Sequence, residues 1–514
     1  MTQGGARAAG RGGRWTSILT LASLAGSTAL AGQSAPLAGF DRYVEQAMAV
    51  WKVPGLAVAV VADGKVALSR GYGVREIGKP DRVDDQTIFA IGSATKAFTV
   101  AALGLLVDEG KLGLDDPVRR HLAGLELADP IANQAVTVRD LVTHRTGVGG
   151  GDLLWASGGF DRQEIVRRIR HVPATWGFRT WFDYSNIMFI AAGEVLAAAA
   201  GKTWDEVVRD RLLLPLGMTR SNTTVRALGA MINVATPHDP TDTSPRPVPW
   251  RNMDNTVAGG GINSSVADMA KWLQLHLAGG AANGRQLISA AFVKEMQQPQ
   301  TIIHREGSWE AMAPEAHFLA YGLGWIISDR HGKVMLQHGG GIDGMSAMVG
   351  LMPELGVGIV VLSNLNGNQL PASLMRRVFD AYQGVPPTDW SEWYLAKVRQ
   401  AEADGAAATA ATNAQRVAGT KPTLELAKYV GTYRHDAWGD AVVTLENGKL
   451  ALRYGTEFVG ELEHVQHDAF RANWRNPARG SDYLNFTIDV TRRAAALDLY
   501  LWVTPHFTRV AESR

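Results

Sequence analysis

The sequence predicts an α+β fold: one antiparallel sheet flanked by helices, a largely helical subdomain beside it, and a small separate β domain at the C-terminus. Three observations carry this. Strand patterns stand near both ends of a first segment of several hundred residues, helical periodicity fills its middle, and alternating apolar patterning resumes after an alanine-rich tract. Strands so far apart in sequence share one sheet when the intervening helices pack beside it as an insertion. A cleft between those layers is the natural place for a site.

The first strand pattern is Leu56-Ala57-Val58-Ala59-Val60-Val61, and Asp63-Gly64 is a two-residue hairpin turn into Lys65-Val66-Ala67-Leu68-Ser69. A second group spans Lys333–Gln337, Met345–Leu351 and Val357–Leu362. Between them Phe98, Ala101, Ala102, Leu105 and Leu106 recur at helical spacing until Gly110, and Arg139–Val142, Met188–Ala200 and Val266–Leu277 read the same way. From Asp389 an amphipathic stretch through Val398 runs into Ala-rich sequence, Ala401–Thr412, and then Gly419–Pro422, which reads as a surface helix and linker. From Leu424 the pattern is alternating strands, with a hairpin signal at Asn447-Gly448 and alternation over Tyr483–Val490. The expected division is therefore 36–388, a helix and linker over 389–423, and a β domain over 424–514.

Lys and Arg total 51 against 50 Asp and Glu, so no global charge recruits nucleic acid or an acidic membrane. Substrate capture must be local. Residues 1–31 read as a secretory signal: Arg7, Arg11 and Arg14 precede an apolar stretch, Trp15–Leu30, and Ala29-Leu30-Ala31 supplies the small-x-small cleavage pattern. The stretch is too short and too interrupted by Ser and Thr for a membrane span. A periplasmic or secreted location is expected. The absence of cysteine excludes disulfides, thiolate nucleophiles and Cys-ligated zinc. No His-Glu-x-x-His motif occurs, and His464 and His467 fall in a β region where that spacing points to opposite faces. Gly149-Gly150-Gly151 reads as a flexible loop near the cleft, since no Gly-Lys-Ser/Thr follows to make a phosphate cradle. No cofactor or metal is expected.

Three constellations carry chemistry. Ser93-Ala94-Thr95-Lys96 places a hydroxyl and an amine three positions apart where a helix begins, so both lie on one face. A serine hydroxyl is a weak nucleophile until a neighbouring base takes its proton, and desolvation favours the neutral amine that such a base requires. The same spacing also fits Ser93 as a helix cap with Lys96 in solvent. Tyr184-Ser185-Asn186 precedes the helix at Met188: a phenol beside a lysine ammonium has its pKa lowered toward proton relay, and an amide such as Asn186 orients a carbonyl. A plain helix start with Ser185 or Asn186 as cap fits as well. His338-Gly339-Gly340-Gly341 follows a strand, and consecutive glycines let backbone N–H groups approach a reacting carbonyl. The same tetrad is an oxyanion motif of α/β-hydrolases, but no Gly-x-Ser-x-Gly elbow occurs in the chain.

In this order the constellations resemble the serine β-lactamase and penicillin-binding-protein superfamily, nearest its class C-like branch of esterases, D-aminopeptidases and other peptidases. Val53-Pro54-Gly55, Leu141–Gly147, Gly259–Ser265 and Tyr321–Trp325 also look similar, so the resemblance covers roughly residues 40 to 385. The resemblance implies a β-lactamase/transpeptidase-like fold. It also implies Ser93 as the acylated nucleophile, Lys96 and Tyr184 as the general-base pair, and Asn186 as carbonyl ligand. The N–H groups of Ser93 and Gly341 would form the oxyanion hole, with Gly340 and His338 lining the site. The pattern departs where His338 replaces lysine: a largely neutral side chain offers no fixed charge for a substrate carboxylate, which argues against efficient penicillin or carboxypeptidase chemistry. Arg145-Thr146 stands where Thr-Ser is commoner, with no catalytic meaning assigned. Tyr429-Val430-Gly431-Thr432-Tyr433 resembles the lipocalin-like barrels appended to some members. The expected function is a serine hydrolase of amides or esters on a small molecule or short peptide, a peptidase, D-aminopeptidase or esterase. The alternatives are a β-lactamase and a non-catalytic sensor of cell-wall fragments or β-lactams.

Overall fold

The strands from the two ends of the first segment meet in one sheet. The computed structural model describes residues 36–511, so the expected export signal over 1–31 lies outside the described residues. Helix α1 (Phe40–Trp51) leads into the hairpin β1 (Gly55–Ala62) and β2 (Lys65–Gly73), and α2 (Thr95–Asp108) and α3 (Asn186–Ala200) belong to the helical subdomain. After α4 (Val266–Leu277) come β3 (Thr301–Ile302), β4 (Leu319–Tyr321), β5 (Ile326–Arg330), β6 (Lys333–Ile342), β7 (Met345–Met352) and β8 (Val357–Ser363), then α5 (Leu370–Gln383). The sheet order is β2-β1-β8-β7-β6-β5-β4-β3, antiparallel throughout, with Val58 opposite Val361 and Val60 opposite Ile359. Three of these strands, β3 to β5, extend the sheet beyond the expected set.

The hairpin turn forms as its sequence demands: Asp63 and Gly64 both take positive φ, 50° and 73°, which suits Asp-Gly between twisted strands. β1 is apolar without alternation because the sheet is covered on both faces. Each fully buried valine there contributes about 1.5–3 kcal/mol. Gly358 and Gly350 mark the two faces. A Cβ on Gly358 would fall 3.3 Å from Leu273 of α4, and one on Gly350 would fall 2.4 Å from Met375 of α5. The absent side chains let a helix settle on each side. Among the described residues no single helix is long and apolar enough to cross a membrane. The apolar composition of α3 reflects burial on nearly every side.

The tract expected to be a linker is helical. α6 runs unbroken from Trp390 to Ala414, with only its first turns buried, at Trp390, Ser391, Tyr394 and Leu395. Alanine has the highest intrinsic helix propensity, so low complexity here continues the helix instead of ending it. Beyond it, eight strands from Gly431 to Arg509 close in sequence order into an up-and-down barrel. Its Asn447-Gly448 turn again has both φ values positive, 50° and 77°. Tyr429, Tyr433, Phe458, Phe470, Phe486 and Phe507 are buried in it, and Tyr433 donates to the Tyr429 carbonyl at 2.7 Å. The Tyr-x-Gly-x-Tyr segment is thus core with satisfied hydroxyls.

Candidate active site

Ser93 sits in a single 3-10 turn, Gly92–Ala94, from which α2 continues. No side chain caps that start, so Ser93 is not spent on the helix. α2 is buried from Thr95 through Leu106, which carries Lys96 into the interior although its side chain is charged in water. The amine finds three acceptors there: Ser93 Oγ at 3.2 Å, Asn186 Oδ1 at 2.6 Å and the Gly259 carbonyl at 2.8 Å. It also lies 4.9 Å from the Tyr184 ring centroid and 5.2 Å from that of Phe189. None of these contacts is a carboxylate. Burial therefore dominates and lowers the Lys96 pKa to about 7, against a smaller upward pull from Asp152. Near neutral pH a large share of the amine is unprotonated and can accept the Ser93 proton.

Tyr184 lies beside the Ser93 side chain. Its protonation departs from expectation: burial drives the phenol far above its ordinary value, outweighing the Ser93 contact, so Tyr184 is a neutral donor and Lys96 is the group poised to titrate. The burial comes from a lobe in which Phe182, Ile303, Leu319 and Tyr321 pack together, with Tyr184, Trp309 and Met312 against them. His144 stacks on Tyr184 with centroids 4.3 Å apart and accepts from the Ser185 N–H at 3.0 Å. Its pKa lies well below the usual histidine value, because it is buried and near Lys96.

Asn186 opens α3 and is held at both ends. Its carbonyl oxygen takes the Lys96 amine and its Nδ2 donates to Asp152 Oδ2 at 2.9 Å, which leaves one N–H for a substrate carbonyl. Asp152 is raised above the usual carboxylate range by burial, and its Oδ1 has no hydrogen-bond partner although the Trp155 indole lies nearby. Two of the three glycines before it are closely packed: a Cβ on Gly149 would strike Asp183 at 1.8 Å, and one on Gly151 would strike Ile187 at 2.1 Å. Arg145, which had no assigned role, pairs with fully buried Asp140 at 2.6 Å, as does Arg179.

The third constellation lies on a strand. β6 continues through His338 and the glycines to Ile342, with His338 opposite Val349 and Gly340 opposite Ala347 on β7. Its other neighbour, β5, begins at Ile326, and the pairing stops there opposite Gln337. That leaves the glycine edge without a strand partner, and the Ser93 turn occupies the place. A Cβ on Gly340 would lie 1.9 Å from the Ile91 carbonyl and 3.1 Å from the Ser93 nitrogen, and one on Gly92 would lie 2.8 Å from the Gly341 nitrogen. Only glycine permits this approach, and it brings the backbone nitrogens of Ser93 and Gly341 to one place. His338 is buried, donates from Nδ1 to the Gly339 carbonyl at 2.8 Å, and meets the Tyr321 hydroxyl at 3.1 Å through Nε2. Burial, then the nearby Lys96, lowers its pKa to about 3, so it is uncharged at working pH.

Ser93, Lys96, Tyr184, Asn186, His338, Gly340 and Gly341 thus converge from three elements. The sequence did not single out His144, Tyr321, Asp152 or Trp155. His144 and Tyr321 stand inside segments similar to the family, whereas Asp152 and Trp155 carry no local signal.

The Beta-lactamase family model matches residues 40–383, and a model described as a domain of unknown function, DUF3471, matches 415–512. The chain is 30% identical to "unguisins hydrolase ungD" of Aspergillus violaceofuscus over 484 residues, 85% of this chain and 83% of that protein. It is 30% identical to "penicillin-binding protein 4" of Amycolatopsis lactamdurans over 61% of this chain and 81% of that one. A solved octameric penicillin-binding protein homologue from Pyrococcus abyssi shares the fold with a TM-score of 0.61 at 23% identity, covering 92% of this chain and all of that one. With the fold, the three constellations and these matches in agreement, the chain belongs to the serine β-lactamase and penicillin-binding-protein superfamily and is an enzyme of the serine-hydrolase type.

Proposed function

We propose that the chain hydrolyses amide or ester bonds of small-molecule or short-peptide substrates through an acyl-enzyme on Ser93, as a peptidase, D-aminopeptidase or esterase acting outside the cytoplasm. The observation that carries this reading is the Ser93 Oγ to Lys96 Nζ distance of 3.2 Å to an amine whose pKa is about 7. Ser93 Oγ attacks the carbonyl carbon as its proton passes to Lys96, forming a C–O bond and an oxyanion. The N–H groups of Ser93 and Gly341 receive that oxygen. Tyr184, a neutral phenol beside Ser93, hands a proton to the departing amine or alcohol and is replenished from Lys96. Water then repeats the attack on the acyl carbon, and Ser93 leaves. Asn186 offers its remaining N–H to the substrate carbonyl side, and the naming of the Aspergillus relative as a hydrolase supports the reaction class.

Neutral His338 favours substrates without an essential carboxylate and disfavours penicillins. Mass spectrometry after fluorophosphonate treatment tests the nucleophile: wild type gains one adduct on Ser93, and Ser93→Ala gains none. Labelling of Ser93→Ala, or none of wild type, sinks the mechanism. A panel of p-nitrophenyl esters, D-amino-acid amides and a fluorescent penicillin then separates the activities. A penicillin adduct that persists for hours would favour a sensor.

A further inference from the structure

The barrel meets the larger domain along a seam whose one end is buried and ionic. Over most of its length the contacts are ordinary. Thr456 and Glu457 donate backbone N–H groups to the Ser157 carbonyl at 2.9 and 3.2 Å, Arg168 donates to the Asp436 carbonyl at 2.7 Å, and Phe160 fills the space left by Gly439. At the end beside the β6–β7 turn, four charged side chains meet with little access to water: Arg251 8% exposed, Arg479 10%, Asp343 19% and Glu457 25%.

Asp343 is the junction. It lies in the turn two residues after Gly341. Arg479 of the barrel bonds both of its carboxylate oxygens, Nη1 at 3.3 Å from Oδ1 and Nη2 on Oδ2, while Glu457 holds the same Nη2 at 3.0 Å. Arg251 reaches Asp343 Oδ1 at 3.4 Å and donates to the Ala156 carbonyl at 2.8 Å. Its guanidinium also covers the Trp155 ring at 4.8 Å, and the Trp155 indole lies beside Asp152 without a hydrogen bond of its own. Asp152 holds Asn186, which holds Lys96. One carboxylate thus ties the barrel to the turn after the oxyanion glycines and, through Arg251, to the Trp155 ring that lies beside Asp152.

We propose that Arg479 and Asp343 are positioning residues for the Ser93 reaction: through them the barrel clamps the turn that follows the oxyanion glycines, with Arg251 as the second cation on the same carboxylate. The proposal rests on the Ser93 hydrolase reading. Beyond Gln337 the glycine stretch of β6 has a strand neighbour on one side alone, and consecutive glycines are the softest backbone available. Its position is therefore set by β7, by the Ser93 turn packed on its other side and by whatever fixes the β6–β7 turn. An oxyanion hole requires placement within about 0.5 Å, and a misplacement of about 1 Å is worth on the order of 100-fold in rate. Two arginines on a water-poor carboxylate make a rigid fixture, because breaking the set strands a buried charge.

The test uses the full chain and two readouts: backbone hydrogen exchange over residues 338–345, and kcat and KM on the best ester or amide of the panel. Arg479→Ala is expected to speed exchange in that segment about tenfold and to lower kcat roughly 10- to 100-fold with KM nearly unchanged. Asp343→Asn keeps the shape without the charge, should act in the same direction, and serves if the alanine variant folds poorly. Arg168→Ala removes a seam contact elsewhere and should leave both readouts within about twofold of wild type. Unchanged exchange in Arg479→Ala and Asp343→Asn overturns the clamp. Equal slowing by Arg168→Ala also overturns it, since docking in general would then be the cause. Were Ser93 not to label at all, the hydrolase reading would fall, while the exchange contrast would still decide whether Arg479 fixes the turn.

Discussion

Two buried cations in this chain are treated in opposite ways. Arg330, at the end of β5, is 1% exposed and bonds Asp380, itself 2% exposed, and Glu315, with the Trp390 ring 5.1 Å away. Asp380 is further fixed by the Trp390 indole N–H at 2.6 Å. Lys96 is fully buried too, yet every atom its amine touches belongs to a neutral group, Ser93, Asn186 or Gly259. A guanidinium stays charged in any protein setting, so burying it requires paired carboxylates. An ammonium can lose its proton, and withholding a contacting carboxylate makes it do so near neutrality. The identity of the partners, more than the depth of burial, separates a structural cation from a poised base. The histidines at the site follow the same logic: His144 and His338 are held neutral, so Lys96 works beside groups that neither compete for its proton nor repel it strongly.

The largest expected effect comes from removing the poised cation. Lys96→Ala should slow acylation of Ser93 by about 100-fold or more, the usual range for loss of a general base, while stability falls less than in a variant that strands a buried charge, because no ion pair is broken. Stopped-flow labelling with a fluorophosphonate, alongside calorimetry, checks both halves. Unchanged acylation would remove Lys96 from the mechanism.

The convergence on Ser93 was largely legible in the sequence. Ser93 and Lys96 share a helix face by spacing alone, and the glycines after His338 announce a close backbone approach. The sheet was legible as well, since strands as apolar as Leu56–Val61 and Val357–Leu362 have nowhere to go but a common core. What escaped depends on contacts between distant segments. Asp152 joins the site by reaching Asn186, 34 residues on, and Arg479 reaches Asp343 across 136 residues. No local pattern encodes either contact. The protonation of Tyr184 escaped for the same reason: apart from Phe182, the lobe that buries it comes from residues 303–326. The Ala401–Thr412 tract shows the opposite error, where composition suggested a linker and intrinsic propensity built a helix.

The structural cation predicts a different phenotype. Asp380→Ala strands Arg330 in the interior and should destabilise the fold by about 3–5 kcal/mol, whereas replacing Arg330 and Asp380 together by apolar residues of similar volume should cost far less. Glu315 remains as a second partner and places the effect at the lower end. Denaturant unfolding of the single and paired variants measures this, and acylation per folded molecule should not change. A loss of acylation with stability intact would erase the contrast between the two sites.

The smallest effect is the most diagnostic, because it moves a pH profile without removing a catalytic group. Acylation in wild type should rise with pH through about 7, the Lys96 value, since the amine must be neutral to accept the proton. Asp152 pulls that value upward by its charge, at second hand through Asn186. Asp152→Asn removes the charge while the substituted amide still accepts from Asn186. The midpoint should therefore fall, and at pH 6 the variant should acylate faster than wild type, by about fivefold for a fall of one pKa unit. Above pH 8 both enzymes hold Lys96 neutral and the curves should converge. A midpoint that stays put or moves upward would mean that the charge of Asp152 does not reach Lys96, and burial alone would then set the base.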